Sequence, residues 1–127
     1  MNVLREELVP MFIATVALSL LLTLAFAGAG FPKLSGKDEM AAELGRLGVS
    51  AGFTRVIGAL EILGAIGLII GLWITVLGIA AATGLALLMA GAVAAHVRAR
   101  DDAKRTLPSL VLLILSAITL GLGLAGL

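Results

Sequence analysis

Residues 55–72 read RVIGALEILGAIGLIIGL. Beyond Arg55 every position suits a helix facing lipid, with one exception, Glu61. A carboxylate there costs free energy that any apolar residue would avoid. The rest of the chain sets the solvent in which this exception is to be understood. Its 127 residues are 61% hydrophobic and 13% charged, with a mean hydropathy of +1.18, whereas soluble domains carry about a quarter charged residues. Uncharged apolar runs longer than about 18 residues recur, the signature of membrane-spanning helices. The chain has no cysteine, which excludes disulfides, thiolate metal sites and thiol redox relays.

Four spans follow, giving an all-α fold: an integral membrane four-helix bundle forming a single domain over 1–127. The first span covers about 10–31 and holds no charge, and Thr15, Ser19 and Thr23 recur every four residues on one face. Bonds from these hydroxyls to the helix's own carbonyls are the simplest expectation for them. Val56 to Ala95 contains a single ionisable group. As one helix that run would be roughly twice as long as a bilayer is thick, so it must fold back. The expected bend is Gly71-Leu72-Trp73-Ile74-Thr75, where glycine frees the backbone and the only tryptophan suits the headgroup interface. This divides the run into spans at about 54–72 and 75–97. The last span, 107–127, opens with Thr106 as candidate N-cap and Pro108 near the first turn.

Between the first two spans lies SGKDEMAAELGRLGVS. Met40, Leu44 and Leu47 fall at i, i+4 and i+7, which predicts a short amphipathic helix over about 36–47 lying in the membrane interface. Ser35 is its candidate N-cap, with Asp38 in the first turn, and Gly48 its candidate terminator. A solvated loop is the alternative.

With four spans, both termini and the Trp73 turn share one side, which carries only Arg5. The other side carries Lys33, Lys37, Arg46, Arg55, Arg98, Arg100, Lys104 and Arg105. The positive-inside rule puts loops 32–55 and 98–106 in the cytoplasm and both termini outside, in what is expected to be a bacterial cytoplasmic membrane. Ala25-Phe26-Ala27 has the small-x-small spacing of a signal-peptidase site, but Glu6 and Glu7 in the leading segment argue against cleavage.

Glu61 sits about seven residues into its span, roughly 10 Å below the cytoplasmic surface, and is expected to face protein or water. Gly58, Gly64 and Ala65 on its face are small, which admits a neighbouring helix or leaves room for a ligand. Gly67 and Gly71 add a GxxxG pair. Met89, Ala92 and His96 share one face of the third span, and Lys33 ends the first span at the same level. Three readings compete for this group. Glu61 fixes helix register by bonding Arg55 or His96, or the group holds the polar head of a lipophilic molecule, or Glu61 carries protons in transport. One histidine and one buried carboxylate are too few for a metal site, and no nucleic-acid, phosphate-loop or nucleophile motif is present.

The order of these motifs resembles the DoxX-like family of small four-helix membrane proteins. FPKL ends the first span, a short helix closes on LGV, RVIGALEILGAIGLIIGL follows, and then GAVAAHVRARD and Pro108. The likeness runs from about Ala14 onward. It implies recurrent polar positions at Lys33, Glu61, His96 and Asp101, with glycines at Gly48, Gly58, Gly64, Gly67 and Gly91. The family takes its name from a subunit of a thiosulfate:quinone oxidoreductase, and others in the wider family assist assembly of membrane receptors. The resemblance therefore implies a membrane subunit with no intrinsic cofactor, not an enzyme on its own, that holds a quinone or other lipophile. The ligand-binding residues expected are Glu61, His96, Lys33, Gly58, Gly64, Ala65, Met89 and Ala92. Its expected partners are the lipid bilayer and a membrane redox complex, a client membrane protein or a second copy of the chain, and no nucleic acid. The alternatives are an assembly chaperone or scaffold that uses small-residue faces such as Gly67/Gly71 and Ala117/Gly121/Ala125, and a small proton-coupled transporter.

Overall fold

The computed structural model describes residues 2–127, with side chains from residue 6 onward. Five helices follow in order: α1 (Asn2–Leu34), α2 (Asp38–Arg46), α3 (Ala51–Ile70), α4 (Thr75–Arg98) and α5 (Ala103–Ala125). All but α2 are long and apolar enough to cross a membrane. The chain is an integral membrane four-helix bundle. Around the bundle α1 packs on α3, α3 on α4, α4 on α5 and α5 back on α1, so each span runs antiparallel to both neighbours. One end carries α2 and the α4–α5 loop and is called the basic end below. The other carries the Trp73 turn.

Helix limits follow capping chemistry more than hydropathy. α1 begins well before Pro10 and runs through it, although that proline removes one backbone bond. Ser35 does not cap α2: its hydroxyl donates to the Phe31 carbonyl at 2.7 Å and so belongs to the end of α1. Lys37 takes the N-cap position without a side-chain cap. Nor does Thr106 cap α5. Asp102 does, accepting from the Arg105 amide at 3.0 Å, and Thr106 lies in the first turn with its hydroxyl on the Asp102 carbonyl. The charged turn Asp102–Arg105 lies outside the apolar run, so hydropathy starts the helix late, while its backbone bonds start at the cap.

Three helices at the basic end finish the same way. Gly36 (φ 71°), Gly48 (φ 87°) and Arg100 (φ 57°) sit just past α1, α2 and α4 in the left-handed region. In each case the amide of the next residue reaches back to the last turn: Lys37 to Pro32, Val49 to Leu44 and Asp101 to His96. This paired closure satisfies carbonyls that a helix end would leave orphaned. A Cβ on Gly36 would also meet the Arg55 guanidinium at 2.5 Å, but that flexible side chain can shift, so the positive φ is what calls for glycine there.

The core joins Leu22 and Phe26 of α1, Ala65 and Leu68 of α3, and Ala82, Leu85 and Met89 of α4, with α5 adding Leu112, Leu113, Leu115 and Leu120 at its edge. Large apolar side chains such as Leu24, Leu63 and Leu87 point outward to lipid. Since lipid is as apolar as leucine, helix association rests on close packing, and glycine supplies it on two faces of α3. Toward α4, Gly64 receives the Leu85 side chain, Gly67 the Ala81 methyl and Gly71 the backbone of Gly78. Toward α1, Gly58 lies against Gly30, and a Cβ on Gly58 would fall 2.5 Å from the Leu34 amide nitrogen and 2.6 Å from the Gly30 carbonyl oxygen.

Backbone cannot move aside as a flexible side chain can, so Gly58→Ala should cost about 1–3 kcal/mol. Gly28, also in a span but with nothing within 4 Å of its Cβ position, should tolerate alanine or gain up to about 1 kcal/mol. Melting of the two variants beside wild type in detergent checks the contrast, and equal behaviour would remove the close-approach argument.

Candidate functional site

Glu61 occupies the α1–α3 seam one turn from the Gly30/Gly58 contact. It is 1% exposed, and Lys33 donates to its Oε1 at 2.6 Å. Its partner is thus neither Arg55 nor His96 but the lysine that ends α1, brought within reach by the glycine contact beside it. Lys33 keeps 16% of its side chain exposed, so its ammonium stands at the rim of the seam, with two of its three donors beyond the bond to Glu61.

His96 forms a second polar group. Its Nδ1 lies 2.6 Å from Asp101 Oδ2. Arg46 donates to both oxygens of the same carboxylate, at 2.7 and 2.9 Å, and also to Glu43 at 2.7 Å. The bidentate fork pins α2 to the α4–α5 loop. It also explains Arg100, which takes a conformation that usually favours glycine and thereby turns Asp101 back over the end of α4. The Arg46 bond, and then the bond to His96, hold the Asp101 carboxyl well below the usual carboxylate range. Arg46 likewise holds Glu43 low.

The four polar positions implied by the family resemblance therefore pair two by two, Lys33 with Glu61 and His96 with Asp101. Among the described residues no hydrogen bond links the two pairs. Of the small residues, Gly58 and Gly64 are filled by neighbouring helices as described, and Ala65, 2% exposed, accepts at its carbonyl from Thr23 at 3.3 Å. Met89 lies in the core and Ala92 packs against its edge. Arg46 and Glu43 were not singled out by sequence, although their i, i+3 spacing on a short helix is a signal for such a pair. Of the hydroxyl stripe, Thr15 bonds its own helix, to the Met11 carbonyl at 2.9 Å, while Thr23 bonds across to α3 instead. No group of three or more residues able to hold a metal ion occurs among the described residues.

This arrangement of spans, short helix and paired polar residues coincides with a family match. The DoxX-like family model covers residues 17–119. The chain belongs to the DoxX-like family. No curated protein and no solved structure matches it. Membership places Lys33, Glu61, His96 and Asp101 all within the matched region.

Two predictions follow from the pairs. Lys33→Met strands a carboxylate that is almost wholly buried and should cost about 3 kcal/mol or more. Glu61→Gln should cost less, because Lys33 at the rim can extend its ammonium to water, and the double variant should recover most of the loss. A double-mutant cycle by thermal melting measures this, and additive losses would mean that the pair is uncoupled.

The second concerns Asp101. A carboxyl held low in the folded state adds stability that is present above its unfolded value and lost only as pH falls through its folded one. The attachment of α2 should therefore survive acidification that half-protonates ordinary aspartates. Asp101→Asn should release it, with faster amide exchange across 39–46 at neutral pH. Unchanged exchange in that variant would mean that other contacts hold α2.

Proposed function

We propose that this DoxX-like membrane protein is a non-catalytic subunit that holds a lipophilic, quinone-type molecule at the basic end of the bundle, in the service of a membrane redox system. The observation that carries the reading is the Lys33–Glu61 pair. Two apolar residues would close the same seam at equal or lower cost, and the pair instead presents an ammonium with spare donors at the membrane's polar edge. A ligand carbonyl approaching along the lipid face of α1 and α3 would accept from Lys33, while Glu61 behind it fixes the ammonium in place. His96, at the same level of α4, is committed at Nδ1 to Asp101, which leaves Nε2 as its remaining polar atom.

The chain lacks cysteine and has a single histidine, so electrons would be carried by the ligand or by a partner protein. Following the basic-residue asymmetry, we place this end at the cytoplasmic face of a bacterial membrane. Ligand would then enter from the inner leaflet.

Native mass spectrometry of protein extracted gently from its own membrane, with organic extraction of what it retains, tests the proposal. Wild type should release a quinone or similar lipophile, and Glu61→Gln, which leaves the lysine head unfixed, should retain about fivefold less or lower, the equivalent of one lost hydrogen bond. Ordinary phospholipid alone from both folded proteins would refute it and favour a scaffold whose buried pair sets helix register.

A further inference from the structure

At the Trp73 end, away from Lys33 and Glu61, the four spans surround a cavity of about 270 Å³. Its walls come from α1 (Met11, Thr15, Ser19), from α4 (Thr75) and from α5 (Thr119), and it reaches the α3–α4 turn. Gly71, Gly78 and Gly123 also line it. None of its lining residues is charged. The remainder of the wall is aliphatic or aromatic, apart from hydroxyls.

Those hydroxyls are not equivalent. Thr15 and Thr119 donate to carbonyls of their own helices, Met11 at 2.9 Å and Leu115 at 2.8 Å. Ser19 is only 2% exposed, and among the described residues its hydroxyl has no hydrogen-bond partner. That hydroxyl opens onto the cavity and can donate into it, and the space is large enough to supply an acceptor; the fully buried hydroxyl without a partner among the described residues is that of Ser116, outside the lining.

We propose that this cavity binds a neutral lipophile of about two fused rings bearing a carbonyl or similar acceptor, which Ser19 hydrogen-bonds. The size follows from apolar cavities of about 150 Å³, which take one benzene ring. Neutrality follows from the uncharged wall, since an ion buried there would have no counter-charge. The acceptor follows from Ser19. The site stands apart from the Lys33–Glu61 end and does not rest on the reading given to that end.

The test uses the full chain in detergent, with its single tryptophan, Trp73, reporting melting. Two probes of nearly the same shape are titrated: methyl naphthyl ketone, which has an acceptor, and ethylnaphthalene, which has none. Saturable rises in melting midpoint are expected for both, with the ketone binding about fivefold tighter once each probe's partition into micelles is subtracted. Ser19→Ala should abolish that preference while still binding ethylnaphthalene. Thr75→Phe, at an exposed position on the cavity wall, should weaken both about tenfold or more by occupying the space, and Gly28→Ala, outside the lining and with open space at its Cβ position, should change neither. The proposal is overturned if wild type shows no saturable shift, if the ketone preference survives Ser19→Ala, or if only Glu61→Gln abolishes binding, which would assign the probes to the basic end.

Discussion

Inside a bilayer the burial of apolar surface does not bring helices together, because lipid offers the same environment as a neighbouring helix. The bundle depends on how closely its backbones approach, and Gly30 and Gly58 mark a close approach between α1 and α3. That contact brings the end of α1 beside the middle of α3, which puts Lys33 within reach of Glu61. Without the glycines the carboxylate would stand away from Lys33, its one bonded partner among the described residues, and a lone charge at that depth is costly. Packing and electrostatics are therefore one constraint here: the small residues set the distance that makes the ion pair feasible, and the pair fixes the register at which the small residues meet.

The other polar group solves a different problem. α2 is too short to hold itself in place, since isolated helices of its length are marginal in water, and it touches α3 and α1 only lightly. Arg46 ties it to the loop between α4 and α5 through Asp101, and Asp101 is turned toward Arg46 by the left-handed Arg100. The basic end is thus a closed assembly in which the ends of α1, α2 and α4 each finish with the same backbone closure. At the Trp73 end a single tight turn connects α3 to α4, and the touching glycines Gly71 and Gly78 bring the two helices together just beyond it. The cavity lies beside this turn, between it and the starts of α1 and α4 and the end of α5.

Much of the fold was legible because the bilayer imposes length and composition. The run from Val56 to Ala95, with Glu61 its single ionisable residue, had to bend, and Gly71 to Thr75 was the stretch able to do it. Gly48 as the terminator of α2 could be read from the end of an amphipathic pattern. The caps Ser35 and Thr106 were misplaced because apolar runs mark where hydrocarbon begins, whereas helices begin where a backbone donor finds an acceptor, one turn earlier in α5 at Asp102. Glu61 stood out by its cost, but its partner did not. Lys33 is 28 residues away and Arg46 is 55 residues from Asp101, and no local spacing rule reaches so far. The cavity was hidden for a related reason: its lining comes from four helices far apart in sequence.

The distribution of charge also bears on what can cross this protein. Beyond Glu61 toward the Trp73 end, α3 has no ionisable side chain. Nor has α4 before His96, α5 after Arg105, or α1 between Glu7 and Lys33. A proton entering at Glu61 would have only hydroxyls to continue along: Thr15, Thr83 and Thr119 are each engaged with the carbonyl of their own helix and Thr23 with that of Ala65, while among the described residues Ser19 and Ser116 have no partner. A relay needs groups that accept and release protons in sequence, and hydroxyls held in such bonds do so poorly. The hydrogen-bonded ion pairs are instead gathered at the basic end, while the ionisable residues of the Trp73 end, Arg5, Glu6 and Glu7, sit in the first turns of α1.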